Sequence, residues 1–453
     1  MAVVGISFGS ATGGTGFDVA ATVSSIMANM RMPETNWANQ TTALQAQDAA
    51  LSSLGTNLSA LSSSLAALTS FDGAFAQKEG AVSDNSVVAL TNATTDAAAG
   101  THTLSIQRLA TTSAQHSSAI PAGATLSGSF SLRVGSGTNH TITLDSSNNT
   151  VAGLAAAINS LAAGAHATVV SDSSGSRISL VSVQSGAASD ITSDSSGLTD
   201  ANGTGVTFTG TQPGQDAAYT LDGIALTSAS NTVSSALAGI TFQLLGTASS
   251  DVTLQIANNT TAIATALTNF TAAYNTLSGA LTAQESKDTT GKAQPLFGDQ
   301  TLSLMQAQLA TALAFVTTNT GARSNLAQLG ISFSATGQLQ LDSNALSQAL
   351  SSNFSGAANF FQNSGDFGQN LTRALNQLGT DGNGALALRL NQNTVQEQTL
   401  ADNKTNLELR LSAYETSLTS KLTLANEILQ SIPQQLEETR QIYAAITGYN
   451  SSR

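Results

Sequence analysis

The chain has 453 residues, and charged residues make up only 9% of them, whereas an average globular protein has about 25%. The length predicts about three domains, and the net charge of −13 argues against nucleic-acid binding, which needs a basic surface. The absence of cysteine excludes disulfides, thiolate metal sites and a cysteine nucleophile. The apolar runs are too short to predict a membrane span.

The composition is typical of an extracellular protein, because Ser, Thr, Asn and Gln take the place of charged residues. The amino terminus nevertheless lacks the basic start and the long apolar stretch of a conventional signal peptide, so we expect no such leader. These two observations conflict, and the function of the protein has to reconcile them.

Residues 1–70 are predicted to be helical after a glycine-rich lead at residues 13–16. Asp18 is a suitable N-cap, and Pro33 should interrupt the helix because it lacks an amide donor and clashes with the preceding turn. From residue 34 to 69, leucines recur every seven residues, which predicts a left-handed coiled coil about 54 Å long. The two registers of this stripe consist of Leu44, Leu51, Leu58 and Leu65, and of Leu54, Leu61 and Leu68.

The middle of the chain has the pattern of a β-rich region. Residues 82–256 often alternate apolar and polar side chains and are rich in Val, Thr and Gly. A short helix is expected at 151–161, and loops rich in Ser, Gly and Asp are expected around 172–176 and 193–205. The clearest predicted strands lie at 102–106, 130–134, 141–144, 178–181 and 252–256.

After residue 258 the hydrophobic period becomes helical again. We predict helices over 263–277 and 302–316, and a short hairpin over 331–341 that turns near Gly337. The order along the chain is therefore helix, sheet insertion and helix, with the two helical ends brought together.

The carboxy-terminal region carries a second apolar stripe. At Tyr414 its spacing changes to two steps of four residues, which acts like a stutter, and Pro433 predicts a kink or a break. We expect the two stripes either to pack on an ordinary core or to pair with each other or with other subunits. The second stripe consists of Leu400, Leu407, Leu411, Tyr414, Leu418, Leu422, Ala425, Leu429, Ile432 and Leu436.

Residues that usually carry catalysis are scarce, so we expect neither an enzyme nor a metal or cofactor site. The letters of Gly5–Gly9 match a nucleophile elbow. An elbow follows a strand, however, and no strand precedes this segment, so we attribute the match to chance. Residues 381–384 lack the later ligands of a calcium loop. The histidines lie in predicted strands or loops without the spacing of metal ligands, at His102, His116, His140 and His166.

Several short motifs, taken in their order along the chain, resemble the flagellar filament cap protein family, also called hook-associated protein 2. Residues 16–19 resemble its Gly-Leu-Asp opening, and 31–33 resemble its Arg-x-Pro. Residues 99–110 resemble its Gly-Thr-strand-Leu-Ala signature, and 157–169 resemble the Ile-Asn repeat of flagellins. Later motifs in the family order lie at 221–224, 230–233, 239–242, 273–275, 296–299 and 337–342.

The resemblance implies an α+β multidomain fold, in which terminal helices form a coiled-coil or helical leg and β-rich head domains are inserted between them. The residues of the two stripes would then form the coiled-coil or oligomer interface. The implied divisions are an amino-terminal leg segment (1–70), an inner β-rich head domain (71–115 with 216–257), an outer variable β-rich domain (116–215), a helical leg domain with a hairpin (258–379) and a carboxy-terminal coiled-coil segment (380–453).

The family function implied is a structural cap at the distal tip of the bacterial flagellar filament, which promotes the folding and insertion of exported flagellin. Export through the flagellar type III system would reconcile an extracellular composition with the missing signal peptide. The implied partners are other copies of the chain in a ring, flagellin, hook-associated junction proteins and an export chaperone. Nucleic acid, a membrane span and cofactors are not expected.

Two alternatives remain at this point. One is another flagellar axial protein, either a hook–filament junction protein or a flagellin, although the motifs at 221–242 and 274–275 favour the cap. The other is a surface adhesin whose β domains bind glycan, which binding by a fragment covering 72–257 would test. The sequence departs from the usual carboxy-terminal helix of the family at Pro433 and in the tail beyond it.

Overall fold

The computed structural model describes residues 15–317, 323–379 and 382–448. Contacts divide the chain into a helical unit, Met1–Thr69 with Ala266–Arg453, and a β-rich unit, Ser70–Thr265. The predictions for Gly5–Gly9, for the glycines at 13 and 14, for Asp381 and for the tail from 449 to 453 lie outside the described residues.

The helices follow the order that the sequence predicts, with two long ones near the ends of the chain. They are α1 (Val19–Met30), α2 (Met32–Thr69), α3 (Val151–Ser160), α4 (Thr260–Gln284), α5 (Gln300–Leu313), α6 (Ser343–Ser352), α7 (Phe354–Gln362), α8 (Phe367–Leu378) and α9 (Ala385–Thr447).

The strands fill the predicted β-rich region, with one further hairpin in the helical unit. They are β1 (Lys78–Val82), β2 (Val88–Ala93), β3 (Gly100–Arg108), β4 (Thr112–Ser117), β5 (Leu126–Val134), β6 (His140–Thr143), β7 (Ala165–Asp172), β8 (Gly175–Ser185), β9 (Ile191–Asp194), β10 (Leu198–Asp200), β11 (Phe208–Gln212), β12 (Ala217–Leu221), β13 (Ile224–Ser228), β14 (Thr232–Leu237), β15 (Ile240–Leu244), β16 (Val252–Asn258), β17 (Ile331–Phe333) and β18 (Leu339–Leu341).

Local signals set both ends of the first helix. The Asp18 carboxylate accepts a hydrogen bond of 2.9 Å from the Ala21 amide, which confirms the predicted N-cap. The interruption before α2 falls at Arg31, and Pro33 occupies the first turn of α2, where its missing amide donor costs no helical bond. The predicted interruption is therefore confirmed.

Two separate hydrophobic cores organise the β-rich unit. The first lies among the strands of a five-stranded sheet, ordered β1-β16-β3-β12-β13, and of a three-stranded sheet, ordered β14-β15-β2. The second gathers α3, a sheet ordered β11-β4-β8-β7, and a sheet in which β5 pairs with β6, β9 and β10. Phe242 and Phe130 are fully buried in the first and second core, respectively.

Two sequence-based expectations are wrong. The segment 193–205 is not a plain loop, because the buried side chains of Ile191 and Leu198 bring β9 and β10 against β5. Of the kink or break expected at Pro433, the break does not occur, since α9 runs through the proline to Thr447. The proline removes one amide hydrogen bond, and the neighbouring turns remain helical on both sides.

Candidate functional site

The carboxy-terminal part of the first stripe, from Leu51 to Leu68, lies in the core of the helical unit. Here α2 packs against α7 and α8, and its side chains there are at most 3% exposed. These residues therefore contact elements of their own chain. They are Leu51, Leu54, Leu58, Leu61, Leu65 and Leu68.

The line of contact between α2 and α9, here called the seam, is packed more loosely in its middle than the core around α7 and α8. Leu44 and Leu400 are only half-buried. Leu44, Gln40 and Leu400 line one groove of about 380 Å³. A second groove, of about 580 Å³, is lined by Trp37, Leu400 and Lys404 among others.

The short helix α1 covers the next stretch of α9. Val23 and Met27 form a buried cluster with Leu407 and Leu411, and Trp37 and Leu418 are packed on its side. The Phe17 amide donates to the Asn426 side chain at 2.8 Å, so α1 runs antiparallel to α9. The structure therefore pairs α9 with α1 here, and of the two predicted stripes it brings Leu44 and Leu400 to one groove.

A polar layer interrupts the apolar seam between α2 and α9. The Asn393 side chain is fully buried and donates to the Asp48 carboxylate at 2.7 Å. Arg389, one turn earlier on α9, donates to Gln47 at 3.2 Å and also to Asn393. Its Nε atom donates to Asp299 at 2.9 Å, and Asp299 caps α5 through the Thr301 amide. The layer thus ties α2, α5 and α9 together.

Sequence reasoning missed this polar layer, although a signal was present. Asn393 lies seven residues before Leu400 and therefore occupies the same register as the leucines. A buried asparagine at such a position fixes the register of a helix pair, because any shift leaves its amide without partners. Gln47 lies seven residues before Leu54, so it interrupts the other stripe in the same way.

The ion pair in this layer shifts the ionisation of Asp299. Burial alone would raise the pKa of Asp299, because it disfavours the charged form. Hydrogen bonds from the Thr301 amide and the Arg389 guanidinium outweigh that effect and hold the pKa below its usual value. The Asp299 carboxylate therefore stays ionised at neutral pH and pairs with Arg389.

The last part of α9 presents an apolar stripe that no described element covers well. Leu436 is 48% exposed and Ile446 is 78% exposed. Leu429 and Ile432 are half-buried and Tyr414 is 45% exposed, whereas Leu422 packs beside the α1 cluster. The spacing of three and four residues continues past Pro433, from Leu429 through Ile432 and Leu436 to Tyr443 and Ile446. This half of α9 therefore has the pattern of a helix that packs on a partner.

Within the described residues, the structure holds no grouping of three or more acidic, His or Cys side chains that could bind a metal ion. All four histidines lie on strands, and His102 bonds the Asp222 carboxylate at 2.8 Å. Over the same ranges, none of the helices has both the length and the apolar character needed to cross a membrane.

Comparison with known proteins gives matches over most of the chain. The family profile of the flagellar hook-associated protein 2 N-terminus matches residues 15–113, and that of its C-terminus matches residues 214–434. The chain is 30% identical over 378 residues to the B-type flagellar hook-associated protein 2 of Pseudomonas aeruginosa, covering 76% of this chain and 78% of that relative.

A solved structure shows the same fold. The D1-D2-D3 domains of the flagellar cap protein FliD from Escherichia coli superpose with a TM-score of 0.58 at 24% identity, over 76% of this chain and 99% of that one. FliD from Pseudomonas aeruginosa PAO1 matches at 29% identity with a TM-score of 0.39, over 45% of this chain and 98% of that one. The family profiles and the 30% identical relative together show that the chain belongs to the flagellar hook-associated protein 2 family, whose members cap the flagellar filament.

Proposed function

We propose that this protein works as one subunit of a ring-shaped homo-oligomer at the filament tip, where it promotes the folding and insertion of exported flagellin. In this proposal the terminal helices form legs, and the β-rich unit forms the head. The head comprises an inner domain, 71–115 with 216–257, and an outer domain, 116–215. The two separate hydrophobic cores of the β-rich unit support that division.

The observation that carries the proposal is the uncovered apolar stripe at the end of α9. Leu436, Tyr443 and Ile446 are between 48% and 78% exposed in the single chain. A helix of this length depends on packing for its stability, and large apolar side chains on one face favour a partner helix. The leg interface we propose therefore uses Tyr414, Leu418, Leu422 and Leu429, and extends along the stripe to Ile446.

The remaining predicted interface residues have a different role in this proposal. Leu51 to Leu68 stabilise the leg from inside, because they are buried in their own subunit. Leu44 and Leu400 line grooves beside the seam and form the transition between the two regions. Hook-associated junction proteins and an export chaperone are the further partners we propose for the leg, with export through the flagellar type III system.

Deletion of the gene in its native organism tests the cap function. We expect cells without filaments that release flagellin monomers into the medium, and normal filaments would contradict the proposal. Complementation with Leu436→Glu tests the leg interface, since this change places a charge on the exposed stripe. The matched control is Leu409→Glu, because Leu409 is 67% exposed on the same helix but lies off the stripe. Equal swimming of both strains would refute the leg assignment.

A further inference from the structure

The strand β7 forms one edge of the sheet ordered β11-β4-β8-β7 and pairs with β8 over its whole length. Residues 168–172 are all exposed, and Val170 is 57% exposed. An exposed, regular edge strand is a template for another strand, because its outer backbone groups are ready to pair.

Four other edge strands of the β-rich unit carry features that discourage strand addition, and the part of β7 between His166 and Asp172 does not. The edge strand β1 carries Lys78 and Glu79, and β13 has only five residues. The pairing of β11 is irregular near Gly210, and that of β14 is irregular after Val233. In contrast, β7 has eight residues in unbroken register, and between His166 and Asp172 it holds no charged side chain, proline or bulge.

The first part of the β7 edge is already occupied by a side chain. The Asn159 carboxamide at the end of α3 accepts from the Ala167 amide at 2.7 Å and donates to the Ala167 carbonyl at 2.9 Å. Both backbone groups of Ala167 therefore point away from β8. Because the direction alternates along a strand, those of Val169 and Ser171 point the same way. Among the described residues, no group bonds either of these two backbones.

We propose that this edge pairs with the β7 strand of a second copy of the chain, antiparallel and related by a two-fold axis at Val170. In this register Val169 of each copy lies opposite Ser171 of the other, and the two residues exchange both of their backbone hydrogen bonds. The outward groups of Val169 and Ser171 are then all used, and the Asn159–Ala167 bonds are left intact. Pairing about Val169 would instead require the Ala167 groups that Asn159 occupies.

The side chains agree with a second copy as the occupant. The two-fold axis places Val170 beside Val170 of the partner subunit, and each Thr168 opposite the partner's Asp172. No two like charges therefore lie opposite each other in this pairing. This matters because each chain carries a net charge of −13, so two copies repel each other overall. A contact between residues 168–172 of two copies buries far less surface than the roughly 1,200 Å² of stable interfaces. The pairing should therefore be weak between two single chains and stronger where several copies pair together.

Cysteine crosslinking tests the pairing in the full chain, which contains no cysteine of its own. A residue pair without mutual hydrogen bonds has Cα atoms about 4.5 Å apart, which is within disulfide range. We expect Val170→Cys to yield a disulfide-linked dimer on mild oxidation. The matched control is Val183→Cys, because Val183 is 62% exposed on the neighbouring strand but lies about 20 Å along the strands from the axis. Equal crosslinking of both variants would overturn the proposal.

A second change tests the backbone bonds. Val169→Pro removes an outward amide and leaves the β7–β8 bonds unaffected, as is tolerated on an edge strand. It removes two of the four bonds between the copies, so dimerisation of the Val170→Cys chain should fall by about 30-fold. If circular dichroism shows that Val169→Pro is misfolded, Ser171→Pro takes its place, because it removes the equivalent two hydrogen bonds between the copies. Undiminished crosslinking in a folded proline variant, or crosslinking to a different protein only, would refute the second copy as partner.

Discussion

The polar layer between α2 and α9 makes a quantitative prediction for the stability of the helical unit. Arg389→Ala removes the cation that pairs with Asp299 at 2.9 Å, and it also removes the hydrogen bond to Gln47 at 3.2 Å. The Asp299 side chain is only 13% exposed, so its carboxylate is left in a largely dehydrated position. Removing one partner of such a pair costs about 3 kcal/mol.

The only tryptophan provides the assay. Trp37 packs beside the cluster of Val23, Met27, Leu407 and Leu411, so its fluorescence reports on the helical unit and not on the β-rich unit. With a urea slope of about 3 kcal/mol per molar, a loss of about 3 kcal/mol lowers the midpoint by about 1 M. The lowered pKa of Asp299 adds a pH dependence, because the ion pair contributes stability above the usual carboxyl pKa and loses it as the pH falls through the lowered value. The difference between wild type and Arg389→Ala should therefore shrink in acid.

The control is Arg440→Ala, since the Arg440 side chain is 78% exposed and lies 3.9 Å from Glu437. That change should cost less than about 0.5 kcal/mol. The double variant Arg389→Met with Asp299→Asn should lose less stability than the sum of its single changes, because it leaves no unpaired charge. A midpoint shift for Arg389→Ala no larger than for Arg440→Ala would refute the reasoning.

Three further predictions concern single residues. Leu51→Ala should destabilise the helical unit by about 2–5 kcal/mol in the Trp37 urea assay, because Leu51 is fully buried. His102→Ala should raise the pKa of Asp222 in an NMR titration, since the hydrogen bond from His102, followed by that from the Thr103 amide, lowers it. Gly16→Ala should increase hydrogen exchange at Phe17, because its φ is +62° and a Cβ would lie 2.2 Å from Asn426 Oδ1.

Each of these predictions has a matched control. Leu409→Ala removes the same side chain from a site that is 67% exposed, and it should change stability by less than about 0.5 kcal/mol. His140→Ala alters a histidine for which the structure shows no carboxylate partner within the described residues, so the pKa of Asp222 should stay the same. Gly100→Ala adds a Cβ where no atom lies within 4 Å, and exchange at Phe17 should not change. Equal effects of variant and control would contradict the corresponding argument.

The sequence predicted the elements well where the signal is local. The Asp18 cap, the interruption at Pro33, helix α3 and the hairpin of β17 and β18 depend on residues within a few positions of one another. Composition misled at 193–205, because two buried side chains outweigh a stretch of Ser, Gly and Asp. At Pro433 the apolar spacing on both sides predicted helix better than the proline predicted a break.

The amino-acid sequence by itself therefore determined which faces of the terminal helices are apolar, where strands and caps lie, and which functions the composition excludes. Only the tertiary structure decided what each face contacts. It placed Leu51 to Leu68 inside their own subunit and brought Asp48 to Asn393, which is 345 residues away in the chain. It also placed the Asn159 side chain on the backbone of Ala167, and within the described part of the chain nothing pairs with the outward backbone of Val169 and Ser171. A periodic pattern identifies a buried face, but its partner depends on contacts between distant segments that no local pattern encodes.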